Sequence, residues 1–163
     1  MKAVVQRVID ASVSVEGELI GRIGGGLLVY LGVAHDDATG DADWLAEKIT
    51  NLRIFDDSEG KMNLSLGDVV NHKNKLVNDD GIGLLVVSQF TLLGDARKGR
   101  RPSWGRAAPP EKARQLYDYF VGKVRQAGFL CECGKFQAIM QVRYTNEGPV
   151  TILLDTAENG PTD

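Results

Sequence analysis

The chain has 163 residues, 43% of them hydrophobic and 25% charged, an ordinary composition for one globular domain with a substantial core. No apolar stretch approaches the roughly 18 residues of a membrane-crossing helix, and Met1 to Ile9 reads as a strand carrying Lys2 and Arg7, unlike a signal peptide, so a cytoplasmic protein is expected. The net charge of −3 excludes a protein that coats nucleic acid over its whole surface.

Residues Lys2 to Val8 alternate as a strand does, and Val13, Val15 and Leu19 flank Glu16-Gly17, a hairpin signal. Gly24-Gly25-Gly26 turns the chain into Leu27 to Val33; without a following Lys-Ser/Thr these glycines predict a tight turn and no nucleotide-binding loop. Asp41 to Leu52 places Trp44, Leu45, Ile49 and Leu52 at helical spacing, with Asp41 or Thr39 available to cap the first turn. Asp56 to Gly60 reads as a turn whose acids do not follow calcium-loop spacing, Met62 to Val70 as a short hairpin or irregular segment, and Gly81 to Ser88 as a buried strand. A second helix starts after Pro109-Pro110 and runs to Gln126, with Leu116, Tyr117, Phe120 and Val124 on one face, and Gly128 closes it. Phe129 to Lys135, Ile139 to Thr145 and Val150 to Asp155 predict three final strands, before a polar, mobile tail from Ala157. This order predicts a single α/β domain over residues 1–156, one mixed sheet system carrying two helices, with residues 157–163 as the tail.

Cys131 and Cys133 lie two apart on a strand, on one face, and are too few for a disulfide framework; reduced, structural thiols are expected. His35 and His72 sit in separate loop contexts without ligand spacing, so neither a metal nor a cofactor is expected. Arg97, Lys98, Arg100, Arg101 and Arg106 follow one another with no acid between them, held irregular by Gly99, Pro102 and Gly105. Such a run is either a solvated loop or a patch that steers an anionic ligand to a neighbouring site.

Two stretches carry the chemistry. Ser88-Gln89-Phe90-Thr91-Leu92 follows the apolar run Leu84 to Val87, so hydroxyls and amides emerge where a buried strand surfaces; Asn146-Glu147-Gly148-Pro149-Val150-Thr151 sets an X-Pro bond before Ile152 to Leu154. No histidine neighbours Ser88 or Thr91 in sequence, so a hydroxyl nucleophile lacks an evident base. A sharp turn at Gln89-Phe90-Thr91 can instead aim consecutive N–H groups at a developing oxyanion, which suits an activated ester. The structural alternative is a strand end whose hydroxyls bond the backbone, with Phe90 in the core, and an ordinary trans turn at Gly148-Pro149.

Taken in order, the Ser88–Leu92 stretch, Arg97-Lys98-Gly99-Arg100-Arg101-Pro102-Ser103, Ala108-Pro109-Pro110, Gly134-Lys135-Phe136 and Asn146–Thr151 resemble the D-aminoacyl-tRNA deacylases. The likeness runs from Met1-Lys2-Ala3-Val4-Val5-Gln6-Arg7-Val8 to about Asp155. It implies three α/β/β layers and a cofactor-free homodimer that hydrolyses the ester joining a D-amino acid, or glycine, to the terminal ribose of tRNA. It further implies that Gly148-Pro149 is cis and enters the partner subunit's pocket, where its carbonyl oxygens hold the amino group of a D-substrate and exclude an L side chain. Ser88, Gln89, Phe90 and Thr91 would supply oxyanion donors and line the adenosine pocket, and Phe136, Ala138 and Met140 would complete the substrate site. Arg97, Lys98, Arg100 and Arg101 would meet tRNA, and the ribose hydroxyl beside the ester would assist the attacking water. The chain departs from the family's pattern at Gln137, commonly glycine, at Glu147, frequently Asp, and at Trp104, usually a smaller aromatic ring. Two other functions stay open on the residues alone: a non-catalytic nucleic-acid-binding domain using Arg97 to Arg106, and an esterase with Thr91 as nucleophile.

Overall fold

The computed structural model describes residues 1–72 and 81–160. A long strand β1 (Lys2–Val15) turns at Glu16-Gly17, both with positive φ, into β2 (Glu18–Ile23), and the glycine turn leads to β3 (Gly26–Gly32). Helix α1 (Thr39–Thr50) follows, then a two-stranded ribbon of β4 (Phe55–Asp56) and β5 (Met62–Leu64), and a short helix α2 (Leu66–His72). Strand β6 (Gly83–Ser88) ends in a 3-10 turn over Phe90–Leu93; α3 (Pro110–Gln126), β7 (Leu130–Cys133), β8 (Gln141–Asp155) and α4 (Thr156–Asn159) complete the order.

The sheet runs β2-β1-β3-β6-β7, with β8 on the other edge of β1. Pairing is antiparallel around β1 and parallel between β3, β6 and β7, so α3 serves as the crossover between two parallel neighbours. Strands β3 and β6 are buried on both faces, which their unbroken Leu and Val runs require. One face packs Val5, Leu27, Val29, Leu84 and Val86 against Leu45 and Ile49 of α1 and Leu116, Phe120 and Val124 of α3. On the other, the second half of β1 and strand β2 curl back, and Val8, Ala11, Val13 and Ile23 close over Leu28, Leu85 and Val87. Helices, sheet and returning sheet are the three layers.

Three details differ from the sequence expectation. The last two strands are one: β8 pairs β1 along its length, interrupted where Gln6 faces Thr151 and Val8 faces Asn146, so that residues 147–150 bulge opposite Arg7 alone. Helix α2 occupies part of the segment read as hairpin or irregular; seven residues containing Gly67 are too few to show a helical period. Ala157 begins no irregular segment, for Asp155 caps α4 through a bond from the Ala157 amide at 3.1 Å; residues 161–163 of the expected tail lie outside the described residues.

Gly26 permits the close parallel pairing that starts the buried sheet: its φ is +115°, and a Cβ there would lie 2.1 Å from the Gly83 carbonyl oxygen. Gly26→Ala is therefore expected to cost about 3 kcal/mol through overpacking and backbone strain, read as a lower urea midpoint at unchanged slope.

Candidate active site

Because β3 and β6 run parallel, their carboxyl ends open on the same side, where ligands of such sheets bind. A cavity of about 540 Å³ lies there. The strand end and turn contribute Ser88, Gln89 and Phe90; the β7–β8 connection contributes Phe136, Gln137, Ala138 and Met140; the approach to α3 and its first turns contribute Ala107, Pro110 and Tyr117. Sequence reasoning anticipated Ser88, Gln89, Phe90, Phe136, Ala138 and Met140 as site residues, and the cavity gathers all six. Phe90 is 57% exposed, so it is a wall of the cavity and no core residue.

Two backbone amides at the turn beside the cavity are left without a partner among the described residues. The Gln89 amide is committed to the Leu31 carbonyl at 2.8 Å, and the Leu92 amide closes the first 3-10 turn onto Gln89 oxygen at 3.2 Å. The Phe90 and Thr91 amides between them head the turn, where N–H groups have no partner within the helix. The Thr91 hydroxyl accepts a bond from the Gln89 side-chain amide and does not line the cavity.

Tyr117 is the cavity wall's one ionisable side chain among the described residues, and it is no base. Burial pushes its hydroxyl far above the ordinary phenol range, with Cys133 beside it adding to the shift. The hydroxyl donates to the Val86 carbonyl at 2.7 Å, which also accepts the Gly134 amide at 2.9 Å, and the ring tilts against Phe136 with centroids 6.0 Å apart. Tyr117 thus braces the Phe136 wall, a role that a core-facing aromatic on an amphipathic helix did not signal. Among the described residues no group of three or more His, Cys, Asp or Glu could hold a metal ion, and no helix is long and apolar enough to cross a membrane.

Gly148 and Pro149 are exposed on the β8 bulge and do not reach this chain's own cavity; the peptide between them is cis. Arg7 holds the bulge from beneath. Its side chain is 6% exposed, and Nη1 donates to the Ile54 carbonyl at 2.8 Å and to Asp56 at 3.2 Å. Nε lies 3.2 Å from the Glu147 carboxylate, within ion-pair reach although the N–H is not aligned for a hydrogen bond. A Cβ on Gly148, whose φ is +114°, would meet Val150 Cγ2 at 2.8 Å and Arg7 Nη2 at 3.3 Å.

The family profile described as D-Tyr-tRNA(Tyr) deacylase matches residues 4–155. The chain belongs to that family. It is 56% identical over 156 residues to a D-aminoacyl-tRNA deacylase of Koribacter versatilis, covering 96% of this chain and 97% of the relative. It is 54% identical over 159 residues to one of Geotalea uraniireducens, covering 98% and 96%. A solved structure titled c-Myc DNA Unwinding Element Binding Protein superposes with a TM-score of 0.82 at 41% identity, over 95% of this chain and 98% of that one. A probable eukaryotic D-amino acid tRNA deacylase shares the fold at a TM-score of 0.76 and 19% identity, over 94% and 97%.

The basic segment that follows the turn is partly neutralised in this family member. Asp95 and Ser103 exchange two backbone hydrogen bonds of 2.9 Å, and the Asp95 carboxylate takes Arg97 by two prongs, at 2.9 Å from Nε and 2.5 Å from Nη2. That bond, with the Arg97 amide, holds the Asp95 carboxyl well below the usual carboxylate range. Asp95 precedes the run of cations, so the run alone overstated the free charge. Lys98, Arg100 and Arg101 are exposed on the same loop, outside the cavity.

Cys131 is buried and Cys133 half-buried on β7, with Arg125 Nη2 3.6 Å from the Cys133 sulfur. The neighbouring Cys131 thiol, helped by Arg125 and Tyr117, lowers the Cys133 thiol below its ordinary range, while the same contact and burial push Cys131 up. Iodoacetamide is expected to label Cys133 with a rate that climbs through neutral pH, below the range of a free thiol, and to spare Cys131; peptide mapping across a pH series checks this.

Proposed function

We propose that this chain hydrolyses the ester of D-aminoacyl-tRNA, and of glycyl-tRNA, releasing free amino acid and tRNA. The observation that carries the reading is the cavity at the β3–β6 strand ends, which offers turn amides and apolar walls but, among the described residues, no side-chain base. An aminoacyl ester is activated and leaves with little help, so donors placed for its oxyanion are what a protein must supply. In the proposed reaction the Phe90 and Thr91 amides bind the developing oxyanion, the adjacent ribose hydroxyl assists water, and Ser88, Gln89, Phe136, Ala138 and Met140 hold the terminal adenosine and acyl group. Thr91 does not serve as nucleophile, since its hydroxyl is engaged by Gln89 and no base stands beside it.

The working unit is a homodimer acting in the cytoplasm, where its substrate is. Gly148-Pro149 faces outward on the bulge, and Ile9, Ile139 and Leu153, on β1, the lead-in to β8 and β8 itself, are 53%, 93% and 74% exposed. An apolar surface of that kind calls for a partner. Across a twofold axis each bulge enters the other subunit's cavity, and its main-chain carbonyls fix the amino group that every aminoacyl ester shares. An editor that accepts many side chains can only reject the wrong hand by a clash near that group. Lys98, Arg100 and Arg101, with Arg97, draw in the tRNA.

Matched D- and L-aminoacyl-tRNA distinguish this from a module that only binds nucleic acid: ester is lost from the D form alone, whereas a module releases no amino acid. Thr91→Ala keeps turnover within about tenfold, too small a loss for a nucleophile. Gly148→Ala, whose Cβ has no room, shrinks the D-to-L ratio by at least about tenfold, the scale of one misplaced contact. Leu153→Glu yields monomers by sedimentation and loses turnover with them.

A further inference from the structure

A second cleft, of about 450 Å³, lies beyond the Phe90–Leu93 turn, lined by Lys2, Leu92, Gly94, Asp95, Arg97 and Arg106 among others. The first cavity touches the turn at Phe90 and this cleft touches it at Leu92 and Leu93. A 3-10 turn advances about 2 Å per residue, so the two spaces lie only a few residues' rise apart, comparable with one step along an extended single strand.

Resting on the deacylase reading, we propose that this cleft is the subsite for the nucleotide preceding the esterified adenosine, its phosphate held by Arg106 and Lys2 and its base laid on Trp104. The charges are arranged for an anion. Asp95 is taken by Arg97 and Lys2 leans on Asp155 at 2.9 Å, while Arg106 has no ion pair among the described residues. Its guanidinium is near enough for Asp95 to feel it, yet that carboxylate is already spoken for.

The site is also rigid where it must be. The Arg106 carbonyl accepts the His35 amide at 3.1 Å, and the Ala107 amide closes on Trp104 oxygen at 2.9 Å, so Arg106 is tied on both sides. Trp104 stands edge-on to Phe90 with ring centroids 5.2 Å apart, and it covers Gly94, where a Cβ would lie 2.6 Å from the indole. It remains 41% exposed. An exposed aromatic side chain two residues from a cation that has no ion pair among the described residues is the kind of arrangement that binds single-stranded nucleic acid, by stacking and phosphate contact. The ring that departs from the family's usual smaller aromatic residue thereby enlarges the stacking surface.

The test compares three esters of one D-amino acid: on adenosine, on the trinucleotide CpCpA, and on tRNA. With the unmodified protein, kcat/KM for the CpCpA ester exceeds that for the adenosine ester by at least about tenfold, the contribution of one stacked base and one phosphate. Arg106→Gln and Trp104→Leu each remove most of that gain. Arg106→Gln also flattens the log–log salt dependence for the CpCpA ester by about 0.7, and Arg106→Lys restores it. If Trp104→Leu fails to fold, the exposed Arg106 variants still decide. A CpCpA ester no better than the adenosine ester, a gain that survives Arg106→Gln, or an equal loss on both esters overturns the subsite alone. No hydrolysis of any of the three overturns the deacylase reading and the subsite with it.

Discussion

The hydrogen bond from the Gln89 amide to the Leu31 carbonyl, at 2.8 Å, is where the parallel ladder of β3 and β6 stops and the backbone begins to face a ligand. Everything at the cavity is registered to that point. The buried strands beneath it cannot slip without turning Leu84 to Val87 out of two cores at once. Past it β6 ends, and the 3-10 turn leaves the Phe90 and Thr91 amides without a partner among the described residues. A rigid sheet thus delivers two main-chain donors to a fixed place, which is the form of preorganisation that electrostatic catalysis needs.

Among the described residues the cavity presents no carboxylate, histidine or lysine, and the proposed reaction accordingly divides the labour between protein and substrate. The protein contributes position, an apolar surround and backbone polarity; in the proposed reaction the substrate contributes its own leaving group and a neighbouring hydroxyl. The same economy appears at the bulge of β8, where the recognition groups of the proposed reaction are again main-chain carbonyls. There the charged side chains serve as support: Arg7 is buried among the Ile54 carbonyl, Asp56 and Glu147, and with Val150, which a Cβ would meet at 2.8 Å, it crowds position 148. A buried guanidinium stripped of its acids would be left uncompensated, so the bulge and the fold beneath it stand or fall together.

Much of this was legible in the sequence because the relevant signals are local. Leu-Leu-Val-Val before Ser88 announces a strand buried on both faces, and the double proline at the cap and first position of α3 announces a helix start. The ordered motifs named the family and six of the cavity residues. What stayed hidden depends on distance. Residues 147–150 read as a break between strands because only pairing with β1 shows that β8 continues through them. Thr91 belongs to the motif but points its hydroxyl at Gln89, a matter of turn geometry. The roles of Tyr117 and Arg7 have no local signal; each matters through a contact with a residue far along the chain, Val86 and Glu147. The neutralisation of Arg97 by Asp95 was two residues away and still missed, since a charge run is read by its own members.

Central to the proposed function is catalysis by turn amides without an acylated side chain. The most direct measurement is a crystal structure with a D-aminoacyl-adenosine analogue whose ester is replaced by an uncleavable amide. The acyl oxygen should lie within hydrogen-bond distance of the Phe90 and Thr91 amides, with no ionisable side chain against the acyl carbon. An acyl carbon resting instead on the Thr91 hydroxyl, with a side-chain base beside it, would contradict that mechanism.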